Sequence, residues 1–141
     1  MYQYRQSGDA YIVSIDNHEG LMEALSEFCR ERGILSGEVS GIGAVDRATF
    51  RYLDPATKEY VDKTFAEQME LTGIVGNISR KDGDVYLHVH VTASRSDYSC
   101  IGGHLLEARI SGACELVVKD LHAKAGRRKD PETGLNLYDF S

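Results

Sequence analysis

Apolar residues recur along this chain with two periods, and each period predicts one kind of secondary structure. Between residues 16 and 33 they return every three or four positions, which is typical of a helix with one buried face. We expect Asp16 or Asn17 to cap the first turn through a side-chain oxygen, and Gly33 to end the helix in a left-handed conformation. The residues on the predicted buried face are Leu21, Ala24, Leu25 and Phe28.

Most of the remaining chain has short apolar and alternating segments between turn residues, which is typical of strands. The Asp82-Gly83 dipeptide between two of these segments indicates a tight hairpin turn, because glycine accepts a positive φ. We therefore predict an α+β fold in which the single helix covers one face of a mostly antiparallel sheet. The predicted strands are residues 10–15, 36–53, 58–65, 70–79, 85–93 and 106–121.

The 141 residues are predicted to form a single domain, because this length suits one hydrophobic core. The sheet face away from the helix is expected to carry both apolar and polar side chains, which favours association with a second copy of the chain. The tail, residues 121–141, holds four large apolar side chains beyond a turn. They are Leu135, Leu137, Tyr138 and Phe140, and they are expected to lie against the same subunit or a neighbouring one.

Charge and targeting signals narrow the functional classes. The chain has 16 basic and 22 acidic side chains and a net charge of −6, the wrong sign for a domain held to nucleic acid mainly by phosphate contacts. The densest basic run, residues 127–129 with Lys124 nearby, fits a solvated loop about as well as a binding patch. The sequence has no apolar run of signal-peptide or membrane-spanning length, so we expect a cytoplasmic protein without membrane contact.

The three cysteines are predicted to be reduced thiols, because they are odd in number, far apart and form no CxxC pair. Most of them are expected to fill the core. They are Cys29, Cys100 and Cys114.

The segment VYLHVHVTASRSDYSCIGGHLL, residues 85–106, contains three of the five histidines of the chain. On a strand, His88 and His90 project from the same face with Cα atoms about 6.5–7 Å apart, so both rings can reach one metal ion. His104 follows Gly102 and Gly103, which allow a close backbone approach to another strand. Three histidines leave a tetrahedral ion one open position, and zinc is the first choice of metal.

Other interpretations of this segment remain open from its residues alone. The two strand histidines also fit a polar face exposed to water, and Cys100 could replace His104 as a ligand. Asp97, Tyr98 and Glu107 are candidates to hold a histidine ring nitrogen, although each also fits a surface position.

The order of motifs resembles the plants-and-prokaryotes-conserved (PPC) domain over roughly residues 8–120. The motifs are a helix, SGEVSGIGAV, an antiparallel run, LTGIVGNIS, LHVHVTAS, GGHL and GACELVV, of which the HxH strand followed by GGH is the most specific. The resemblance implies an α/β-type fold on a largely antiparallel sheet, a homotrimer, and a metal-binding unit made here by His88, His90 and His104. The family is commonly labelled DNA-binding because its plant members carry AT-hooks. This chain has no such hook, since GRRK lacks the proline of the hook core.

Three functions are compatible with these observations. The first is a trimeric metal-binding domain with a regulatory, DNA-associated role. The second is a small metalloenzyme for metal-assisted hydrolysis or lyase-type chemistry, with Glu38, Asp97 or Glu107 transferring protons. The third is a sensor in which a small-molecule ligand completes the metal's coordination sphere.

Overall fold

The computed structural model describes all 141 residues and contains one helix and nine strands. The predicted α+β architecture is confirmed, because the chain is mostly antiparallel sheet with one helix packed on it. The elements are β1 (Tyr2–Ser7), β2 (Ala10–Ile15), α1 (Leu21–Arg32), β3 (Gly37–Leu53), β4 (Tyr60–Phe65), β5 (Met69–Lys81), β6 (Asp84–Ser94), β7 (Cys100–Asp120), β8 (Gly126–Lys129) and β9 (Asn136–Asp139).

All nine strands belong to one sheet. The two longest, β3 and β7, pair antiparallel with each other, and β3 also pairs with β5. β6 pairs with β5 on one side and with the first part of β7 on the other. The hydrogen-bonded path from β3 through β5, β6 and β7 therefore returns to β3, so the sheet bends round and closes on itself. Every pairing is antiparallel except one contact between β5 and β8.

The helix buries the face that its sequence predicts. Leu21, Ala24, Leu25 and Phe28 are fully buried and belong to the main hydrophobic core, and α1 packs against β6 and β7. Gly33 ends the helix with φ of 67°, as predicted.

The prediction for the start of the helix is wrong. The N-cap is Gly20, which has no side chain to accept a hydrogen bond, and His18 adopts φ of 72° in the turn before it. Because this turn delays the helix to Leu21, Asp16 and Asn17 lie too early to cap it. Asn17 instead accepts from the Gly112 amide through its side-chain oxygen.

The predicted Asp82-Gly83 turn is confirmed, whereas three short strands lie outside the predicted ones. Asp82 and Gly83 form the two-residue hairpin turn with φ of 52° and 81°. β1 was missed because its side chains are mostly polar, and it is an edge strand paired only with β2. β8 and β9 form a hairpin in the tail, and this hairpin attaches to the same subunit through β5.

Most of the cysteines fill the core, as predicted. Cys29 and Cys114 are buried in the core, where burial raises the pKa of each thiol to about 12. Cys100 is the exception, since it is exposed at the start of β7. None of the three forms a disulfide. No helix in this fold is both long enough and apolar enough to cross a membrane.

Candidate metal centre

Three histidines meet where β6 runs beside the first part of β7. His88 and His90 lie on the same face of β6, two residues apart. His104 lies on β7 directly opposite His90 in the antiparallel register. Because opposite residues on neighbouring antiparallel strands have Cβ atoms about 4.5–5.5 Å apart, the sheet itself brings the third ring to the other two.

Gly102 allows β7 to approach β6 at this point, and Gly103 gives the strand an unusual backbone conformation. A Cβ on Gly102 would lie 2.4 Å from the carbonyl oxygen of Val91, closer than real Cβ atoms come. Gly103 has φ of 149°, a conformation that L side chains rarely adopt. The predicted close backbone approach is therefore confirmed at Gly102, whereas a Cβ on Gly103 would meet nothing within 4 Å. The strand predicted at residues 106–121 begins earlier than expected, because residues 100–104 already pair with β6.

The ring nitrogens of the three histidines converge. Each residue offers one ligand atom, and these atoms lie within 4.8 Å of one another. The Nε2 atoms of His88 and His90 are 3.1 Å apart, and the ring centroids are 5.0, 5.3 and 5.4 Å apart. Two nitrogens that each bind a tetrahedral ion at about 2.0–2.1 Å lie roughly 3.3 Å apart, so this donor set fits a metal ion after small adjustments.

Burial favours the neutral form of two of the rings. Burial, followed by the charges of His88 and His90, lowers the pKa of His104 to about 4. Burial also lowers the pKa of His88, and the charges of His90 and Arg127 add to that effect. Because metal ions bind the neutral imidazole, both rings are in their ligand form at neutral pH.

The histidines face a cavity of about 640 Å³. Its walls combine the three rings with two arginines, Arg51 and Arg127, and a group of aliphatic side chains. His90 and His104 also border a neighbouring cavity of about 510 Å³, which Phe50 and Phe65 line as well. A molecule in the first cavity therefore has access to all three rings. The aliphatic wall includes Leu53, Leu87, Leu105, Leu135 and Leu137.

Sequence reasoning did not assign either arginine to the site. Arg51 lies on β3 opposite His104, and its guanidinium forms a bidentate ion pair with Asp62 at 2.8 Å for both contacts. The register of β3 against β7 places Arg51 at the site, but the sequence pattern alone does not give that register. Arg127 comes from the basic run in the tail. The Arg127 side chain is half-buried and lines the cavity. Residues 127–129 are therefore neither a simple solvated loop nor a continuous exposed patch.

The two glutamates proposed for proton transfer lie outside the histidine cluster. Glu107 accepts hydrogen bonds from the amides of Met22 and Glu23 at 2.8 and 3.2 Å, so its carboxylate caps the helix that lacks its own cap. Glu38 is exposed on β3, and Asn77 on β5 separates it from His88 on β6. Two strand spacings place its backbone about 10 Å from that of His88.

The residues predicted in the connection between β6 and β7 also have other partners. The carboxylate of Asp97 accepts from the amide and hydroxyl of Ser99 and so stabilises the turn. Tyr98 is 87% exposed at the tip of that turn. Cys100 pairs with Ser94 and is not part of the convergent set. None of these residues hydrogen-bonds to a histidine of the site, and Asp97 and Tyr98 lie beyond the end of the β6–β7 pairing.

Comparison with known proteins identifies the family. A crystal structure of a "putative dna binding protein" from Bacteroides thetaiotaomicron is 52% identical, with a TM-score of 0.97 over 99% of this chain and 98% of that one. A metal-containing protein from Archaeoglobus fulgidus is 34% identical, with a TM-score of 0.88 over 99% and 98% of the two chains. A plant- and prokaryote-conserved protein from Pyrococcus horikoshii is 27% identical, with a TM-score of 0.85 over 99% and 94%.

No curated protein matches this sequence. The family model of the Plants and Prokaryotes Conserved (PCC) domain, however, matches residues 2–122. The structures agree with that match in fold and in length. The resemblance proposed from the sequence motifs is therefore confirmed, and the chain belongs to the Plants and Prokaryotes Conserved domain family.

Proposed function

We propose that this protein binds one divalent metal ion per chain through His88, His90 and His104, and that the ion takes up a small-molecule ligand from the adjoining cavity. The observation that carries the proposal is the convergence of three ligand nitrogens within 4.8 Å at a cavity wall. Structural zinc sites usually have four protein ligands, whereas three leave one position for water or a ligand. The metal-containing relative from Archaeoglobus fulgidus supports the proposal.

Zinc is the metal we propose first. Imidazole nitrogen suits zinc, and three histidines with one further ligand complete the tetrahedral geometry that zinc prefers. Iron, nickel and copper also accept imidazole, so elemental analysis has to identify the ion.

We also propose that the chain assembles as a homotrimer. The face of the sheet that carries the histidines also exposes apolar side chains on neighbouring strands, with Ile12 at 65%, Val75 at 65% and Val117 at 47% exposure. Ile12 lies opposite Val117, and Val75 lies opposite His90. Exposed apolar side chains that line up across strands favour burial against another copy. This surface reaches the histidine cluster, so the assembly would border the site.

Elemental analysis of protein purified without a histidine tag tests the metal site. We expect close to one zinc per chain in the wild type and almost none in the His88→Ala, His90→Ala double variant. A His18→Ala, His122→Ala double variant is the matched control, since it removes two histidines outside the cluster. Equal metal content in all three proteins, or no metal in the wild type, would reject the site. Light scattering over a range of concentrations tests the trimer, which a constant monomer mass would exclude.

A DNA-associated role is the second candidate, and the name of the Bacteroides thetaiotaomicron relative favours it. The net charge of −6 opposes binding dominated by phosphate contacts. We therefore expect fluorescence anisotropy with duplex DNA to show no salt-sensitive binding at near-physiological salt. Binding that weakens steeply as salt rises would instead support a direct DNA function.

Ligand binding is a better fit to the site than hydrolysis or lyase chemistry. A general acid or base has to lie within hydrogen-bond reach of the group that it protonates or deprotonates. Glu107 and Asp97 are engaged elsewhere, and Glu38 lies two strands from His88. We therefore propose a binding or sensing role for this cavity.

A further inference from the structure

Arg127 is a cation without an anionic partner in the wall of the cavity. Its side chain is half-buried, and its three guanidinium nitrogens donate to uncharged oxygens. Nε donates to the Ser79 hydroxyl at 2.9 Å, Nη2 to the Asn77 side-chain oxygen at 2.6 Å, and Nη1 to the Asn136 carbonyl at 3.1 Å. Its guanidinium carbon also lies 3.9 Å from the centre of the Tyr138 ring. These contacts hold the guanidinium in place.

Four other arginines in the chain do have an anionic partner. Arg30, Arg51, Arg95 and Arg109 each form a bidentate ion pair with an Asp or Glu side chain. Arg127 forms no ion pair, although the chain has 22 acidic residues. A partly desolvated charge is unfavourable unless an opposite charge compensates it. Two of its five N–H groups are also left free by the three hydrogen bonds.

The position of Arg127 connects it to the histidines. Asn77, which accepts from the guanidinium, lies directly opposite His88 on the neighbouring strand. Arg127 and the three histidines line the same cavity, and the charge of Arg127 contributes to the lowered pKa of His88. An anion in the cavity could therefore contact the guanidinium and the histidine centre together.

The remainder of the cavity wall indicates what the anion carries. Leu53, Leu87 and Leu105 come from the sheet, and Leu135 and Leu137 come from the tail. A volume of about 640 Å³ is within the range of small-molecule sites. Aliphatic walls favour an organic ligand over an inorganic ion, and a planar guanidinium matches the two oxygens of a carboxylate.

We propose that this cavity binds a small aliphatic carboxylic acid, whose carboxylate pairs with Arg127 and whose hydrocarbon part contacts the leucines. This inference rests on the proposed function, because it names the class of ligand that reaches the histidine centre. Arg127 is a binding residue in this proposal. The tail hairpin that carries it is consequently part of the site.

Calorimetric titration with 3-methylbutanoate tests the proposal on zinc-loaded and metal-free protein. We expect the wild type to bind this acid, and Arg127→Met to weaken binding about tenfold or more in both forms, since hydrogen bonds to charged groups contribute strongly. Arg128→Met is the matched control, because Arg128 is the exposed neighbour on the same strand. It should bind like the wild type. Arg127→Lys keeps the charge without the planar fork and should be intermediate.

Thermal stability, zinc content and affinity for the acid together separate this proposal from a purely structural role and from the metal proposal. Thermal unfolding and zinc content of each variant report whether Arg127→Met still folds and loads metal, independently of the acid. Equal affinity of Arg127→Met and Arg128→Met, or no binding of 3-methylbutanoate to the wild type, would overturn the proposal. Tighter binding of inorganic phosphate, or equal binding of the neutral 3-methylbutanamide, would overturn the carboxylate class. A loss of acid binding in a variant with normal zinc content supports it.

Discussion

The cap that Glu107 supplies to α1 predicts a stability change that can be measured. The helix begins after Gly20, which provides no side-chain acceptor. Glu107, on β7, accepts from the Met22 amide at 2.8 Å and from the Glu23 amide at 3.2 Å. Both amides lie in the first turn, where helical N–H groups have no partner within the helix. The substitution Glu107→Ala should therefore destabilise the folded protein.

The structure sets the magnitude of this effect. Loss of a side-chain cap costs about 0.5–2 kcal/mol, and a carboxylate near a helix N-terminus contributes about 0.3–1 kcal/mol more. Glu23 is exposed, so water can replace one of the two hydrogen bonds, whereas Met22 is half-buried. We expect Glu107→Ala to lower the free energy of unfolding by about 2 kcal/mol. Glu107→Gln keeps one acceptor oxygen and should lower it by about 1 kcal/mol.

Urea unfolding followed by circular dichroism at a fixed protein concentration measures these differences. Glu59→Ala is the control, since Glu59 is an exposed glutamate in the connection between β3 and β4 and its side chain forms no hydrogen bond or ion pair. It should leave stability within about 0.5 kcal/mol of the wild type. A Glu107→Ala protein as stable as Glu59→Ala would refute the capping role.

A second substitution tests the same reasoning in the opposite direction. A Cβ on Gly20 would lie 3.0 Å from a Glu107 carboxylate oxygen, so Gly20→Asp should destabilise the wild type by crowding and charge repulsion. Gly20 has φ of −77° and ψ of 126°, the conformation of an N-cap residue. In the Glu107→Ala background the aspartate can supply the missing cap and should raise stability. The same sign in both backgrounds would show that the two positions do not share the cap.

Two further predictions concern a glycine and a histidine. A Cβ on Gly102 would meet the carbonyl oxygen of Val91 at 2.4 Å, so Gly102→Ala should lower the melting temperature and the zinc content. Gly73→Ala is the control and should change neither, because a Cβ on Gly73 would meet nothing within 4 Å. The hydrogen bond of His122 to Asp9, 2.7 Å long, raises the pKa of His122. The stability that protonated His122 gains from this hydrogen bond is complete below the unfolded-state pKa of about 6.5. It is lost as pH rises through the higher folded-state pKa. The difference in melting temperature between wild type and His122→Ala should therefore be larger at about pH 5.5 than at about pH 9, and a constant difference would contradict this.

The sequence was sufficient to predict the architecture and the histidine cluster because both depend on local patterns. Strand alternation puts His88 and His90 on one face, and a glycine pair before His104 indicates close strand contact. The contacts of Glu107 and Arg127 could not be predicted in this way. Glu107 reaches a helix start 85 residues away from it in sequence, and Arg127 lies 50 residues from its Asn77 partner. Such contacts require the register of distant strands, which a pattern of alternating residues leaves undetermined.

The site and the tail depend on each other through this long-range register. Arg127 lies on a short strand, and that strand meets β5 at one bridge, between Arg80 and Gly126. One bridge fixes a strand weakly, so the hydrogen bonds from Arg127 to Ser79 and Asn77 contribute much of its attachment. A carboxylic acid that pairs with Arg127 would also contact Leu135 and Leu137 of the tail through its hydrocarbon part. Ligand binding should therefore hold the tail hairpin against the sheet and slow hydrogen exchange in β8 and β9 more than elsewhere.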